Sequence, residues 1–305
     1  MYAAPPSVTA EIFARIPDKF RKAGQLSAER LAAGKGSLAT DCFIEGPSFD
    51  RQGNLYLVDI AFGRVFKIKP SGEVDVVAEW DGEPNGLKIH QDGRIIVADH
   101  KCGLLSIHPD TGQVTPLIER YMTERFRGLN DLFIAKDGSI YFTDQGQSNI
   151  LDQTGRVYRM NPDGKVEKLF DHVPSPNGIV MSPNERQLYV AVTRTNAIWK
   201  SVLSPDGGLT RTGLFIQMSG ATGPDGMAVD QAGNLAVAHA GGGSVWLFSS
   251  LGEPLLRIKA PAGHMTTNVA YGGPENKNLY ITESDTGCVL VAKMDVAGQP
   301  MHSHL

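Results

Sequence analysis

Six polar residues recur along the chain, each close to the start of a short apolar stretch, and their side chains suit metal chemistry. Two are carboxylates and four are carboxamides, so a point where they meet would offer several oxygen ligands. Ca²⁺ and Mg²⁺ prefer such ligands and Mn²⁺ accepts them, whereas zinc prefers His or Cys. A divalent ion held there can polarise a carbonyl group and acidify water. The six residues are Glu45, Asn85, Asn130, Asn177, Asp225 and Asn268.

The rest of the sequence offers no competing catalytic group. No Ser-His-Asp or Cys-His arrangement is evident, so metal-assisted hydrolysis is favoured over covalent catalysis. The plain alternative is that Asn85, Asn177 and Asp225 belong to ordinary Asn-Gly and Asp-Gly turns. Each repeat, however, already has a hairpin turn at the other end of its strand. A polar residue in the same place in every repeat therefore favours a site.

The spacing of these residues predicts the fold. They lie about 40 to 50 residues apart, a period typical of β-propeller blades. Further strand-like runs, such as 63–68 and 73–77, lie between them and are separated by glycine turns. We therefore predict an all-β fold, a six-bladed β-propeller with four-stranded blades. The predicted turns are 70–72, 109–112, 162–164 and 205–207.

A propeller would bring the six polar residues together. The innermost strand of each blade lines a central channel, so we expect these residues to converge on one mouth of it. The next strand of each blade returns to the same face, and its last residues should ring the mouth as well. Those residues are Asp59, His100, Gln145, Arg194, His239 and Glu283. Arg127, in a charged loop before Asn130, is a further candidate for orienting a polar or anionic substrate.

Composition limits the classes of function. One propeller accounts for nearly all of the 305 residues, so we predict a single domain over 1–305. The net charge of −4, with both signs scattered, argues against nucleic acid or an anionic membrane as partner. No apolar run is long enough to span a membrane, and the N-terminus lacks a signal-peptide core. Three cysteines without metal-ligand spacing fit a reducing cytoplasm.

Three segments lie outside the blade pattern. For residues 17–41 the sequence pattern predicts a helical insertion, with Ser27 as an N-cap. This insertion could form a lid over the mouth. The strand-like run 7–14 is expected to pair with 289–294 and close the ring. The tail 295–305 is expected to be flexible, so His302 and His304 are not expected to be ligands.

Eight short motifs recur in a fixed order along the chain and together cover roughly residues 43–293. They are Glu45-Gly46-Pro47, Gly53-Asn54-Leu55-Tyr56, Asn130-Asp131-Leu132, Tyr141-Phe142-Thr143-Asp144, Gly155-Arg156-Val157-Tyr158, Pro176-Asn177-Gly178, Gly223-Pro224-Asp225-Gly226 and Gly241-Gly242-Gly243. Any one motif is weak, but the ordered set is specific. With this set the sequence resembles the senescence marker protein/gluconolactonase/luciferin-regenerating enzyme family.

The resemblance implies a lactonase with one divalent metal ion in the channel. It places metal ligands at Glu45, Asn177 and Asp225, and at Asn130 a substrate contact that in some members approaches the metal. The expected metal is Ca²⁺, with Mg²⁺, Mn²⁺, Zn²⁺ or Fe²⁺ as alternatives. The substrate would be a sugar-type (aldono-) lactone, opened by water with either Asp225 or a metal-bound hydroxide as base. Where members use an Arg two residues before the Asn, this chain has Gly128.

The sequence is also compatible with other functions. The same metal could serve a phosphotriesterase-like hydrolase or another metal-dependent reaction. A non-enzymatic propeller that binds a peptide or glycan would need no metal. A strictosidine-synthase-like enzyme is metal-independent, and the combination of Glu45, Asn177 and Asp225 argues against it. We expect a monomer or a weak homo-oligomer.

Overall fold

The computed structural model describes residues 4–204 and 207–305, and these form six blades around a channel. The chain begins with β1 (Ser7–Thr9) and β2 (Glu11–Arg15), followed by a 3-10 helix (Asp18–Phe20) and α1 (Ala28–Ala32). Ser27 caps α1, because its Oγ accepts a hydrogen bond from the backbone N–H of Arg30 at 3.3 Å. The predicted N-cap is confirmed.

The predicted four-stranded blades are confirmed, and they follow one another along the chain. Blade 1 contains β3 (Ile44–Phe49), β4 (Leu55–Asp59), β5 (Arg64–Ile68) and β6 (Val74–Glu79). Blade 2 contains β7 (Pro84–Ile89), β8 (Ile95–Asp99), β9 (Gly103–Ile107) and β10 (Val114–Ile118). The short ribbon β11 (Arg120–Tyr121) and β12 (Glu124–Arg125) precedes blade 3, which contains β13 (Leu129–Ile134), β14 (Ile140–Asp144), β15 (Gly155–Met160) and β16 (Val166–Val173).

The second half of the ring repeats this pattern. Blade 4 contains β17 (Pro176–Met181), β18 (Gln187–Val192), a 3-10 helix (Thr193–Thr195), β19 (Ala197–Leu203) and β20 (Leu209–Gln217). Blade 5 contains β21 (Gly223–Val229), β22 (Leu235–Ala240), β23 (Ser244–Phe248) and β24 (Pro254–Lys259). Blade 6 contains β25 (Thr266–Gly272), a 3-10 helix (Pro274–Asn276), β26 (Asn278–Glu283) and β27 (Cys288–Lys293), and the chain ends with a 3-10 helix (His302–His304). Pro205 and Asp206 of the predicted turn in blade 4 lie outside the described residues.

The innermost strands form the wall of the channel. Each contacts the innermost strands of the neighbouring blades, and β25 contacts β3, which closes the ring. The second strands, such as β4 and β8, are buried along their whole length because neighbouring blades cover both of their faces. This explains why they read as continuous apolar runs rather than as alternating ones.

Closure of the ring differs in part from the prediction. β2 pairs antiparallel with β27 as the fourth strand of blade 6, as expected. β1 instead pairs parallel with β24 and adds a fifth strand to blade 5. The run 7–14 therefore splits near Ala10, whose backbone N–H donates to Lys259 O at 2.9 Å.

The prediction of a flexible tail at 295–305 is wrong. Gly298 bridges Asp230, and the amide of Gln299 donates to Met181 O at 3.0 Å. Ser303 Oγ donates to Phe49 O at 3.1 Å. His302 and Ser303 are buried. The tail covers the end of the channel opposite the mouth, and its side chains find backbone partners there that sequence patterning does not reveal.

Every innermost strand carries a β-bulge where its polar residue stands. The pairing register shifts between Glu45 and Ser48 in blade 1, and the other five blades shift at the equivalent place. A bulge bends the strand and re-aims a side chain. In blade 6, Thr266 pairs with Glu283, so the bulge residue is Thr267. The prediction that Asn268 is equivalent to the polar residues of the other five blades is therefore wrong by one residue.

Candidate active site at the channel mouth

The mouth of the channel is a cavity of about 620 Å³. This volume lies in the range of small-molecule sites. Five of the six predicted polar residues line it, one from each of blades 1 to 5: Glu45, Asn85, Asn130, Asn177 and Asp225. The strand bulges therefore bring together residues that lie far apart in sequence.

Glu45 is a buried carboxylate in an acidic setting. Its Oε2 accepts hydrogen bonds from Asn268 Nδ2 at 2.7 Å and from the backbone N–H of Gly46. Burial, followed by the charges of Asp225 and Asp131, nevertheless raises the pKa of Glu45 well above its ordinary value. The hydrogen bonds hold the side chain in place without offsetting the cost of its charge.

Asp225 shares this setting but keeps some surface open to the cavity, although protein surrounds it. Burial, followed by the charge of Asp131, raises the pKa of Asp225 to about 8. A hydrogen bond with Asn177 and the charge of Arg194 act in the opposite direction. Glu45 and Asp225 thus form a pair of carboxylates whose ionised forms lack sufficient positive charge nearby.

Asn130 has an amide oriented by a relay of hydrogen bonds. Its Nδ2 donates to Gln145 Oε1 at 3.1 Å, and Gln145 Nε2 donates in turn to Ser175 Oγ at 2.9 Å. The Oδ1 of Asn130 is buried and accepts no hydrogen bond. An unsatisfied buried oxygen is costly, and this one belongs to a residue that lines the cavity, so it is available to accept a ligand there.

These donors fit a hard divalent cation. The two carboxylates and three asparagine amides at this cavity supply oxygens, and one of those oxygens, Asn130 Oδ1, has no partner. Within residues 4–204 and 207–305, no group of three His, Cys, Asp or Glu side chains is arranged to hold a metal ion. A cation here would therefore depend on the amide oxygens as well as on the carboxylates.

Not all the predicted substrate contacts reach the cavity. His100, Gln145 and Arg194 line it. Arg127, His239 and Asn268 are not among the lining residues: Arg127 is exposed, and the ring of His239 makes a hydrogen bond with Gly220 O at 3.2 Å. Burial lowers the pKa of His239. Asn268 contacts Glu45 from below the cavity.

Two residues of the predicted second ring have structural partners. Asp59 accepts hydrogen bonds from the backbone N–H groups of Phe43 and Ala61 and pairs with Arg64. Glu283 accepts from Asp285 N and Thr286 N. These carboxylates hold loops against the strand ends by hydrogen bonds. In the sequence, a polar residue at a strand end looks the same whether it has this structural role or binds a ligand.

The N-terminal insertion forms part of the cavity wall. Residues between Gly34 and Phe43 line it, together with Arg30. Glu83 secures this wall, because it pairs with Arg30 Nη1 at 3.0 Å and with Lys35 Nζ at 2.7 Å. The sequence analysis did not identify Glu83 as part of the site. The one sequence signal for it is its position two residues before Asn85. Opening of this wall as a lid stays a prediction.

Ser175 is a second missed residue. It lines the cavity beside Asn177, and its φ of 67° lies in the left-handed region that side chains rarely adopt. Strained backbone of this kind clusters at functional sites. The sequence signal is slight: a Ser-Pro pair directly before the polar residue of blade 4.

Comparison with known proteins supports one family. A model of the SMP-30/Gluconolactonase/LRE-like region matches residues 43–285. A gluconolactonase of Zymomonas mobilis is 31% identical over 273 residues, which cover 79% of this chain and 76% of that protein. Lactonase drp35 of Staphylococcus aureus strain MRSA252 is 33% identical over 243 residues, covering 73% of this chain and 72% of that protein.

Solved structures agree with the fold. A gluconolactonase of Xanthomonas campestris has a TM-score of 0.74 at 26% identity, covering 96% of this chain and 98% of that one. Regucalcin of Agrobacterium tumefaciens, a calcium-binding protein, has a TM-score of 0.78 at 22% identity and covers 98% and 99% of the two chains. At that identity, the second likeness concerns the fold alone.

Proposed function

Because the chain belongs to the SMP-30/gluconolactonase/LRE-like family, we propose that it hydrolyses lactones with the help of a divalent metal ion. Relatives above 30% identity are a gluconolactonase and a lactonase. A mouth cavity of about 620 Å³ with several amide and charged side chains suits a small hydroxylated ring. The substrate class we favour is a sugar-type lactone.

Glu45, Asn177 and Asp225 would hold the ion, with Asn130 Oδ1 as a further oxygen donor. This donor set favours Ca²⁺ among the candidates, since Ca²⁺ accepts carboxylate and amide oxygens in flexible geometry. When bound, such an ion polarises the lactone carbonyl and offsets the negative charge that develops on it. The observation that carries the proposal is the buried, unpartnered Oδ1 of Asn130 beside two carboxylates that lack a counter-charge.

Asp225 is the candidate base because, of the two carboxylates that would hold the ion, it is half-buried whereas Glu45 is buried. Water attacks the carbonyl carbon and loses a proton to Asp225 while the new C–O bond forms. The ring C–O bond then breaks, and the released alkoxide takes up the proton, so that the product is a hydroxy acid. His100, Gln145 and Arg194 would orient the hydroxyl groups of the substrate.

The test is proton release on a panel of aldonolactones and simple γ- and δ-lactones. Chelated protein, protein restored with each divalent metal, and Asp225→Asn would be compared. Asp110→Asn, at an exposed aspartate in a hairpin turn, is the matched control and should behave as wild type. We expect turnover that is lost on chelation, returns with metal and is absent in Asp225→Asn.

Two outcomes would overturn this assignment. Hydrolysis of phosphotriesters but of no lactone would favour the phosphotriesterase-like alternative. Binding of a glycan or peptide by chelated protein, without turnover of any lactone, would favour a binding propeller. We also propose a monomer or a weak homo-oligomer. A cytoplasmic location is part of the proposal and is supported by Cys42, Cys102 and Cys288, which are all free thiols.

A further inference from the structure

A cluster of three charged side chains lies on one side of the mouth, where the N-terminal insertion meets blade 2. Arg30 and Lys35 belong to the insertion, and Glu83 directly precedes β7. All three line the cavity. Their side chains are largely buried, with 11% of Arg30, 26% of Lys35 and 15% of Glu83 exposed. The cluster therefore belongs to the wall of the site rather than to the outer surface.

The cluster carries two positive charges and one negative charge. Glu83 Oε1 lies 3.0 Å from Arg30 Nη1, and Glu83 Oε2 accepts a hydrogen bond from Lys35 Nζ at 2.7 Å. Burial acts to raise the pKa of Glu83, but the hydrogen bond from Lys35 and the charges of Arg30 and Lys35 outweigh it and lower the pKa. Glu83 is therefore ionised at neutral pH, and one positive charge of the cluster is left without a partner.

The other carboxylates of the wall do not cancel this charge. Asp41 accepts two hydrogen bonds from Arg21 Nη1, at 3.1 Å and 2.9 Å. Asp285, between β26 and β27 of blade 6, accepts the backbone N–H of His264 at 2.8 Å. Each of them thus has a partner of its own, away from blade 2.

Arg30 and Lys35 both have hydrogen-bond donors that the described part of the chain does not use. Arg30 Nη2 donates to Lys35 O at 3.4 Å, but Arg30 Nε and Nη1 are buried and make no hydrogen bond. The contact of Nη1 with Glu83 is an ion pair without hydrogen-bond geometry. The ammonium of Lys35 has three donors and directs one of them to Glu83. A guanidinium group presents its donors in a planar fork that fits a carboxylate or a phosphate.

The cluster lies next to the part of the mouth that would hold the substrate. Gly128 precedes Asn130 by two residues, and the ring of His100 packs against Gly128. Burial is the main cause of the lowered pKa of His100 and the charge of Lys35 is the next, so Lys35 lies close to that ring. From Asn130 outward, the mouth thus presents an amide, an imidazole and then the positively charged cluster.

We propose that Arg30 and Lys35 form a subsite for an anionic group, a carboxylate or a phosphate, at the end of the lactone remote from its carbonyl. This inference rests on the lactone hydrolysis proposed above and narrows its substrate class to sugar-type lactones that carry a negative charge. Arg30 and Lys35 determine specificity and take no part in ring opening. Glu83 is a positioning residue for the two cations, and its own charge limits how strongly the subsite attracts an anion.

The first measurement compares kcat/KM for three lactones. They are neutral gluconolactone, glucarolactone with a terminal carboxylate, and phosphogluconolactone with a terminal phosphate. We expect one of the anionic lactones to be preferred over gluconolactone about tenfold or more, and the larger preference identifies the group. Added salt should weaken the preference, because it screens the partly exposed charges. Lys35→Met and Arg30→Met should each reduce the preference about tenfold.

Glu83→Gln separates the effect of charge from that of structure. The amide keeps an oxygen that can accept from Lys35 and removes the negative charge, so the preference for anionic lactones should increase. If the cluster only held the wall in place, this variant would slow all three lactones alike. Lys101→Met is the matched control: this lysine pairs with Asp81 Oδ1 at 2.7 Å outside the cavity, and its loss should leave the preference unchanged.

Binding to the chelated full chain gives a second readout that needs no turnover. Calorimetric titrations with glucarate and with gluconate compare two open-chain sugar acids that differ in a terminal carboxylate. We expect glucarate to bind more tightly, and we expect Lys35→Met to remove the difference.

The outcomes separate this inference from the proposed function. Turnover of gluconolactone without a preference for either anionic lactone would overturn the inference alone. A preference that both Lys35→Met and Arg30→Met leave intact would do the same. Absence of any lactone turnover would overturn the proposed function, and the titrations would then decide the inference. Equal affinity for glucarate and gluconate, or no binding of either, would overturn the inference as well.

Discussion

The imidazole of His100 occupies the space that a side chain on Gly128 would need. A methyl group at Gly128 would lie 2.2 Å from Cε1 and 2.5 Å from Nε2 of His100. Gly128 has a φ of 149°, a conformation that also favours glycine. The ring lines the mouth, and its nitrogens make no hydrogen bond within the part of the chain that the structure describes. His100 is thus free to bind a substrate hydroxyl.

Substitution of Gly128 should therefore impair substrate binding. In Gly128→Ala the ring of His100 must move, and we expect KM for a hydroxylated lactone to rise about tenfold while kcat changes less. His100→Ala should have the same effect, whereas His100→Gln keeps a neutral donor and acceptor and should retain most of the affinity. Steady-state kinetics on one lactone check this. An unchanged KM in both alanine variants would contradict it.

His100 should stay neutral over the working pH range. Burial, followed by the charge of Lys35, lowers the pKa of His100 to about 4, while Glu83 acts against this shift and Arg30 adds to it. The stability that the neutral ring contributes is fully present above its ordinary pKa of 6.5 and is lost as the pH falls toward 4. NMR titration of the imidazole tests this. Lys35→Met should raise the pKa, and a normal pKa in wild type would contradict the expectation.

The relay behind Asn130 should matter for catalysis. Gln145→Ala removes the acceptor of the Asn130 amide and leaves that side chain free to rotate. We expect kcat/KM to fall about tenfold, equivalent to about 1.4 kcal/mol of lost transition-state stabilisation. Ser175→Gly keeps the backbone conformation but removes the hydroxyl, and it should show a smaller loss. Gln153→Ala, in an exposed loop, serves as control. Wild-type rates in Gln145→Ala would show that Asn130 is held by other means.

Deletion of residues 299–305 should uncover the far end of the channel. That segment helps to close a small apolar cavity whose wall includes Phe133, Met227 and Tyr271. We expect a melting temperature several degrees lower and increased binding of an apolar fluorescent dye, because apolar surface becomes accessible. Lactone turnover at low temperature should persist, since the mouth lies at the other end. Removal of Leu305 alone, an exposed residue, should have a much smaller effect.

The sequence by itself determined the blade repeat, the all-β class and five of the polar residues that meet at the mouth. This was possible because each blade is built from strands that are consecutive in the sequence. The turns and strand pairs of a blade therefore involve residues that lie close together along the chain. The same local reading misplaced Asn268 by one residue. A bulge adds a residue to one strand only, and the pairing partner that reveals it is distant in sequence.

Tertiary structure decided what the polar residues do. Residues as far apart as Glu45 and Asn268, or His100 and Gly128, meet only when neighbouring blades pack against each other. The same holds for the tail, whose partners Met181 and Phe49 belong to other blades. Burial gives these contacts their chemical effect. A charge or an amide oxygen that has lost contact with water depends on its nearest neighbours for hydrogen bonds and for charge compensation. A local sequence pattern does not predict which residues from other blades these neighbours are.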